Sequence, residues 1–203
     1  MSAEQNLEAV RMLGLKLPTD PRWVNIAEKS LEEILIDHAF CEQKAATSGI
    51  SLIVKYSHLE RIVKEVTPLV AEEWGHFRRV LKEMDKRGIK LGKMRKDDYV
   101  NGLHQNMRMG DHKMILLEKL LVFALIEARS CERFRLLSLY CSEESLRSFY
   151  HEFMVSEAGH YVMFIDLAKE FYPEEVVKAR WQEWLKIEAD ILSNLELRGD
   201  RVH

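Results

Sequence analysis

Residues 72–81 read EEWGHFRRVL, and residues 156–164 read SEAGHYVMF. Each contains Glu-x-x-His, as Glu73 with His76 and as Glu157 with His160. Positions three apart on a helix lie one turn apart on one face, so a carboxylate and an imidazole at this spacing can converge on one metal ion. A lone Glu-x-x-His is a common accident, and it is the flanking residues that give these two their meaning. The face around Glu73 carries Val66, Leu69, Val70, Phe77 and Val80. The face around Glu157 carries Tyr150, Phe153, Met154, Tyr161 and Phe164. Both glutamates interrupt apolar stripes, and a buried carboxylate is costly unless it is paired, protonated or bound to metal.

A two-metal site among four helices needs one further carboxylate from each of the other two. Glu42 and Glu127 fit this requirement. Glu42 lies among Leu35, Ala39, Ala45 and Ala46, and Glu127 among Leu120, Phe123, Ala124, Cys131 and Phe134. Glu132 fits worse, because Arg129 and Arg135 are its i±3 neighbours and mark it as an exposed ion-pairing residue. Glu72 shares a face with Glu65 and Arg79. The spacing then repeats: Glu42 to Glu73 is 31 residues, and Glu127 to Glu157 is 30. Two segments thus each supply Glu…Glu-x-x-His in the same order. Four carboxylates with two imidazoles are a di-iron or di-manganese donor set, and the ligand types do not choose between the two metals. His38, one turn before Glu42, reads either as a partner that orients a ligand or as a hydrogen-bonded core histidine. Tyr150 and Tyr161 read first as packing.

The breaker pattern places these residues on helices. From Asp111 to Ala158 there is neither Gly nor Pro, which favours long helices. An irregular arm is expected over residues 1–20, and a first long helix from Arg22 to Thr47, ended by Ser48-Gly49. A second runs from Ser57 to Arg87, kinked or split by Pro68 and stopped by Gly88. A short helix is expected near Asp97–Met107, and a long one from His112 to Tyr140. Ser142 would start the next, which ends before Pro173, and a last helix covers Glu174–Leu197. Two short connections and one long one make two hairpins joined by a crossover. That is an all-α, ferritin-like four-helix bundle with a long crossover and an additional C-terminal helix. Residues 1–203 read as one such domain.

No run of 18 apolar residues exists, and the N-terminus lacks a signal-peptide pattern, so a cytoplasmic protein with no membrane span is expected. Cys41, Cys131 and Cys141 form no C-x-x-C pair and read as reduced thiols. The net charge is −3. Yet residues 78–96 hold Arg78, Arg79, Lys82, Lys86, Arg87, Lys90, Lys93, Arg95 and Lys96 against Glu83 and Asp85, a local net of +7. Such a segment is either a solvated helix end or a footprint for a polyanion, which Arg108 and Lys113 would extend. By donor set alone the metal site could hydroxylate a C–H bond, oxidise ferrous iron or break down peroxide, since one fold hosts many chemistries.

Four segments sharpen this reading: IDHAFCEQKAA (36–46), EEWGHFRRVL (72–81), LIEARSCERF (125–134) and SEAGHYVMF (156–164). Together they resemble the bacterial tRNA 2-methylthio-isopentenyladenosine hydroxylase family, over about Met12 to Leu197. The resemblance implies a non-haem di-iron monooxygenase of ferritin-like fold. Such an enzyme hydroxylates the isopentenyl group of a hypermodified adenosine beside the tRNA anticodon, using O2 and two electrons from an external donor protein. By resemblance Glu42, Glu73, His76, Glu127, Glu157 and His160 hold two iron ions, and the 78–96 cations become candidates for tRNA phosphates. A monomer or weak homo-oligomer is expected.

Overall fold

The computed structural model describes residues 13–94, 96–196 and 198–202. Among them are seven helices and no strand: α1 (Trp23–Lys29), α2 (Leu31–Lys55), α3 (Glu60–Lys86), α4 (Asp98–Gln105), α5 (Ile115–Tyr140), α6 (Glu144–Phe171) and α7 (Glu174–Asn194). None of these helices is long and apolar enough to cross a membrane. Most of the expected N-terminal arm, residues 1–12, and Arg95 lie outside the described residues. The described residues divide into two compact units, one within Asn25–Lys96 with Arg198–Val202, the other within Met1–Val24 with Asp97–Leu197.

The first unit is built on the α2–α3 hairpin. Its α3 buries Ile62, Val66, Leu69, Glu73, His76, Phe77, Val80 and Met84. Those positions step by three and four, the rhythm of one helical face. Glu73 and His76 fall on that rhythm where apolar residues would otherwise stand. Each fully buried aliphatic or aromatic side chain in such a stripe stabilises the fold by about 1.5–3 kcal/mol.

Three sequence expectations change here. The first long helix is broken at Ser30, so α1 stands apart from α2. Ser48-Gly49 does not end α2, which continues to Lys55. Gly49 is needed for a different reason: a Cβ there would lie 2.6 Å from Cγ2 of Val70 on α3, so the missing side chain permits close helix packing. Pro68 does not split α3. Its position is exposed, where the carbonyl freed by the ring can meet water. Gly88, at φ +68°, follows the end of α3 as expected. The C-terminal segment packs against the same unit. The Val202 N–H donates to Asp37 Oδ2 of α2 at 2.8 Å, and Arg201 Nε lies 3.7 Å from Asp37 Oδ1.

The second unit is built on the α5–α6 hairpin, with α7 and the short α4. The stripe of α6 buries Leu146, Tyr150, Phe153, Glu157, His160, Phe164 and Leu167, again at three-and-four spacing. Glu143 rather than Ser142 occupies the residue before α6. Glu132 is not exposed: it is 4% accessible and held by the N-terminal arm and by Arg129. Thr19 donates to it through its backbone N–H at 2.8 Å and its hydroxyl at 2.7 Å, and Arg129 Nη1 does so at 3.0 Å. Arg129, fully buried, also donates to Glu188 of α7 at 2.8 Å and to the Leu17 carbonyl at 2.9 Å. Burial alone would lower the Arg129 guanidinium, but Glu132 and Glu188 hold it above its ordinary value. Arg133 lies over the Trp23 ring, and burial together with Arg129 brings it down to about 10. A separate buried pair joins Arg180 of α7 to Glu118 of α5 at 2.6 and 2.8 Å.

Candidate metal centre

Each hairpin brings together a triad of two carboxylates and one imidazole. In the α2–α3 hairpin, His76 Nδ1 lies 3.4 Å from Glu42 Oε2 and 3.6 Å from Glu73 Oε2. In the α5–α6 hairpin, His160 Nδ1 lies 3.9 Å from Glu127 Oε2 and 4.0 Å from Glu157 Oε1. All six side chains are buried, from 1% accessible at Glu73 to 6% at Glu127 and His160. The sequence-predicted residues of each hairpin therefore meet, three and three.

These separations are too long for hydrogen bonds. They suit donors that share an ion, because ligand atoms each about 2.1 Å from a metal stand about 3–4 Å from one another. Within each triad one donor atom per residue lies within 4.8 Å of the others, as a common ion requires. Two buried carboxylates so close repel each other in a medium of low dielectric, and a divalent cation removes that repulsion. The residues thus fit a metal, and their oxygen and imidazole donors are those of iron or manganese. Cys131, one turn after Glu127, does not join them as a thiolate. Burial pushes its thiol up to about 12, and it donates to the Met154 carbonyl at 3.4 Å.

Other polar groups surround the triads. Glu72, half exposed, lies 3.8 Å from His76 Nε2. The Ser156 hydroxyl lies 3.5 Å from His160 Nε2. His38 is fully buried, with Nε2 only 2.7 Å from Glu42 Oε1. His38 is therefore a buried, hydrogen-bonded histidine, as one of its two sequence readings had it, and its partner is Glu42. Its i−4 position on the Glu42 stripe was the available signal. Tyr150 packs as expected, stacked on Phe134 with ring centroids 5.5 Å apart.

The basic segment divides in two. Arg78, Arg79, Lys82, Lys86, Lys90, Lys93 and Lys96 have exposed side chains. Lys86 nevertheless bonds the buried Glu83 at 2.7 Å, and the partly buried Arg87 pairs with the same carboxylate. Arg108, expected to extend the patch, instead pairs with Glu183 at 2.7 Å.

Comparison with known proteins follows the same lines. Residues 6–203 match the profile of the tRNA-(MS2IO6A)-hydroxylase (MiaE) family. A tRNA 2-(methylsulfanyl)-N(6)-isopentenyladenosine(37) hydroxylase of Pseudomonas putida is 40% identical over 174 residues, 85% of this chain and 82% of that protein. Its namesake from Salmonella typhimurium is 29% identical, over 88% and 83% of the two chains. Among solved structures, protein 43 from Synechococcus, with aldehyde deformylating oxygenase activity, superposes with a TM-score of 0.88 at 33% identity. The match covers 93% of this chain and 94% of that one. The fold class is therefore all-α and ferritin-like, as the connection lengths suggested. From residue 6 to the last residue, then, the chain belongs to the tRNA-(MS2IO6A)-hydroxylase (MiaE) family.

Proposed function

We propose that this protein is a non-haem di-iron monooxygenase that hydroxylates the isopentenyl group of 2-methylthio-isopentenyladenosine in tRNA. Membership of the hydroxylase family carries the substrate. The observation that carries the chemistry is the pair of buried Glu-Glu-His triads, one from each hairpin. In this reading Glu42, Glu73, His76, Glu127, Glu157 and His160 are the ligands of two iron ions. When bound, the iron pair supplies the activation of O2. The balance is RH + O2 + 2 e⁻ + 2 H⁺ → ROH + H2O, with both electrons drawn from a separate donor protein.

The chain's own residues have defined tasks. The four carboxylates offset the charge of two divalent ions and keep doing so when the metals are oxidised. Two imidazoles, rather than more carboxylates, leave coordination positions open. The apolar stripes that flank the ligands, with Val66, Leu69 and Phe77 on α3 and Phe153 and Phe164 on α6, keep bulk water from the reacting C–H bond. Cations of the 78–96 segment hold the tRNA backbone, where exposed Arg and Lys act through phosphate charge rather than sequence. The modified adenosine leaves its stack to reach the metals, which an anticodon loop permits more easily than a duplex. The protein works in the cytoplasm as a monomer or weak homo-oligomer.

The test is direct. Iron-loaded protein, reductant and O2 are incubated with tRNA bearing the isopentenylated nucleoside, and the digested nucleosides are weighed by mass spectrometry. Gain of one oxygen atom on the isopentenyl group is expected. Fully loaded, fully reduced protein that leaves this nucleoside unchanged would falsify the substrate assignment.

A further inference from the structure

We propose that His38 is a positioning residue for the metal centre: its imidazole fixes the Glu42 carboxylate so that one oxygen, Oε2, is presented to the metal. The proposal rests on the metal reading of the two triads. His38 sits on α2 one turn before Glu42, is fully buried, and has Nε2 2.7 Å from Glu42 Oε1. The other oxygen, Oε2, faces His76 Nδ1 at 3.4 Å. The two ends of the carboxylate therefore have different tasks. Oε1 is taken by a hydrogen bond within α2, and Oε2 is directed at the α3 donors.

A glutamate side chain turns readily about its last torsion, whose energy profile is broad and two-fold. Left alone, Glu42 could present either oxygen or both. A hydrogen bond to Oε1 selects one orientation before metal arrives, so the site loses less freedom on binding. Outer-sphere partners of this kind are worth about 10–100-fold in metal affinity. His38 is held by two features of its own helix. It lies two turns into α2, with Leu35 and Ala39 fully buried beside it. The preceding residue, Asp37, is tied to the C-terminal segment through Val202. The imidazole and the carboxylate thus stand on one rigid element.

Three full-length variants separate positioning from packing. His38→Leu fills the space without a hydrogen bond. His38→Gln places an amide nitrogen where Nε2 stood, and His38→Asn places one nearer Nδ1, too short to reach Glu42. Metal-free protein is titrated with cobalt(II), reading both affinity and the visible ligand-field spectrum, with helicity and Tm of the metal-free forms as controls. The expected result is a 10–100-fold weaker cobalt(II) affinity and an altered spectrum for His38→Leu and His38→Asn, with His38→Gln close to wild type. Wild-type affinity and spectrum in His38→Leu overturn the proposal. If His38→Leu fails to fold, the amide pair decides: His38→Asn binding as well as His38→Gln overturns it. A wild-type protein that binds no cobalt(II) brings down the metal reading itself, and the proposal with it. Unchanged variants of a metal-binding wild type bring down the proposal alone.

Discussion

The two hairpins carry the same three donors in the same order, yet they support them differently. In the α2–α3 hairpin the residue one turn before the lone glutamate is His38, bonded to Glu42 at 2.7 Å. In the α5–α6 hairpin the equivalent residue is Phe123, whose ring lies 5.3 Å from that of Phe164. Two turns after the glutamate, α2 has Gly49, packed close to Val70, while α5 has Phe134, stacked on Tyr150 and edge-to-face with Phe153. The donors stand 3.4–3.6 Å from the histidine in the first hairpin and 3.9–4.0 Å in the second. One triad is set by a polar bond and close backbones, the other by aromatic packing. Each hairpin is also fastened by a different end of the chain. The C-terminal segment bonds Asp37 of α2, and the N-terminal arm bonds Glu132 of α5. A repeated ligand motif therefore does not imply a repeated scaffold.

The largest effect should ignore this asymmetry. Glu73→Ala and Glu157→Ala each remove a proposed iron ligand, one from each hairpin. Each should lower tRNA hydroxylation at least about 1,000-fold, because a bound metal takes several kcal/mol off the barrier and about 1.4 kcal/mol is tenfold. Iron content measured beside activity should fall in both. Full activity and full iron in either variant would break the equivalence of the hairpins and leave the remaining triad as the only working site.

The next effect should reveal the asymmetry in stability rather than chemistry. Arg129→Met leaves Glu132 and Glu188 buried without their cation, which costs about 3–5 kcal/mol. Deleting residues 198–203 removes the Val202 hydrogen bond and the Arg201 ion pair to the buried Asp37, and the loss of that hydrogen bond alone costs about 1–3 kcal/mol. Urea midpoints of the two proteins, without metal, give the ranking. A tail deletion more damaging than Arg129→Met would mean that the C-terminal fastening matters more than its few bonds indicate.

The unequal supports explain what was legible in the sequence. The donors could be read because they obey the local three-and-four rhythm of α3 and α6, and because that pattern occurs twice. Helix order and the long crossover followed from the breakers. What failed were judgements that needed residues far away in the chain. Glu132 looked exposed because Arg129 and Arg135 flank it, but its burial depends on Thr19, 113 positions earlier. Gly49 looked like a helix terminator because glycine commonly is one, whereas Val70 on the neighbouring helix supplies its true constraint. His38 was visible as a position on the Glu42 stripe. Its bond was not, since spacing says which residues can meet and not which atoms do. In the basic segment the charge count was right, but Glu83 engages Lys86 and Arg87, a pairing the count ignores.

The last predicted effects come from three helical glycines, two of them the smallest of all, and they differ in sign. Glycine inside a helix costs about 0.5–1 kcal/mol relative to alanine, so Gly→Ala stabilises wherever the added methyl fits. Gly75 of α3 and Gly159 of α6 precede the two histidines, and a Cβ at either meets nothing within 4 Å. Gly75→Ala and Gly159→Ala should therefore each raise the stability of the metal-free protein by that amount. Gly49→Ala should lower it by about 1–3 kcal/mol, because Val70 must shift to admit the methyl. Thermal melts of the metal-free variants read all three. Equal gains at Gly75 and Gly159 with a loss at Gly49 would place the close packing of the first hairpin at that one crossing. A gain at Gly49→Ala would show that Val70 yields easily, and that His38 rather than close helix packing distinguishes the first triad from the second. The outcome matters for the centre because Gly49 lies two turns beyond Glu42 on α2. A helix free to shift there could not hold a carboxylate against His76, however well His38 fixes its other oxygen.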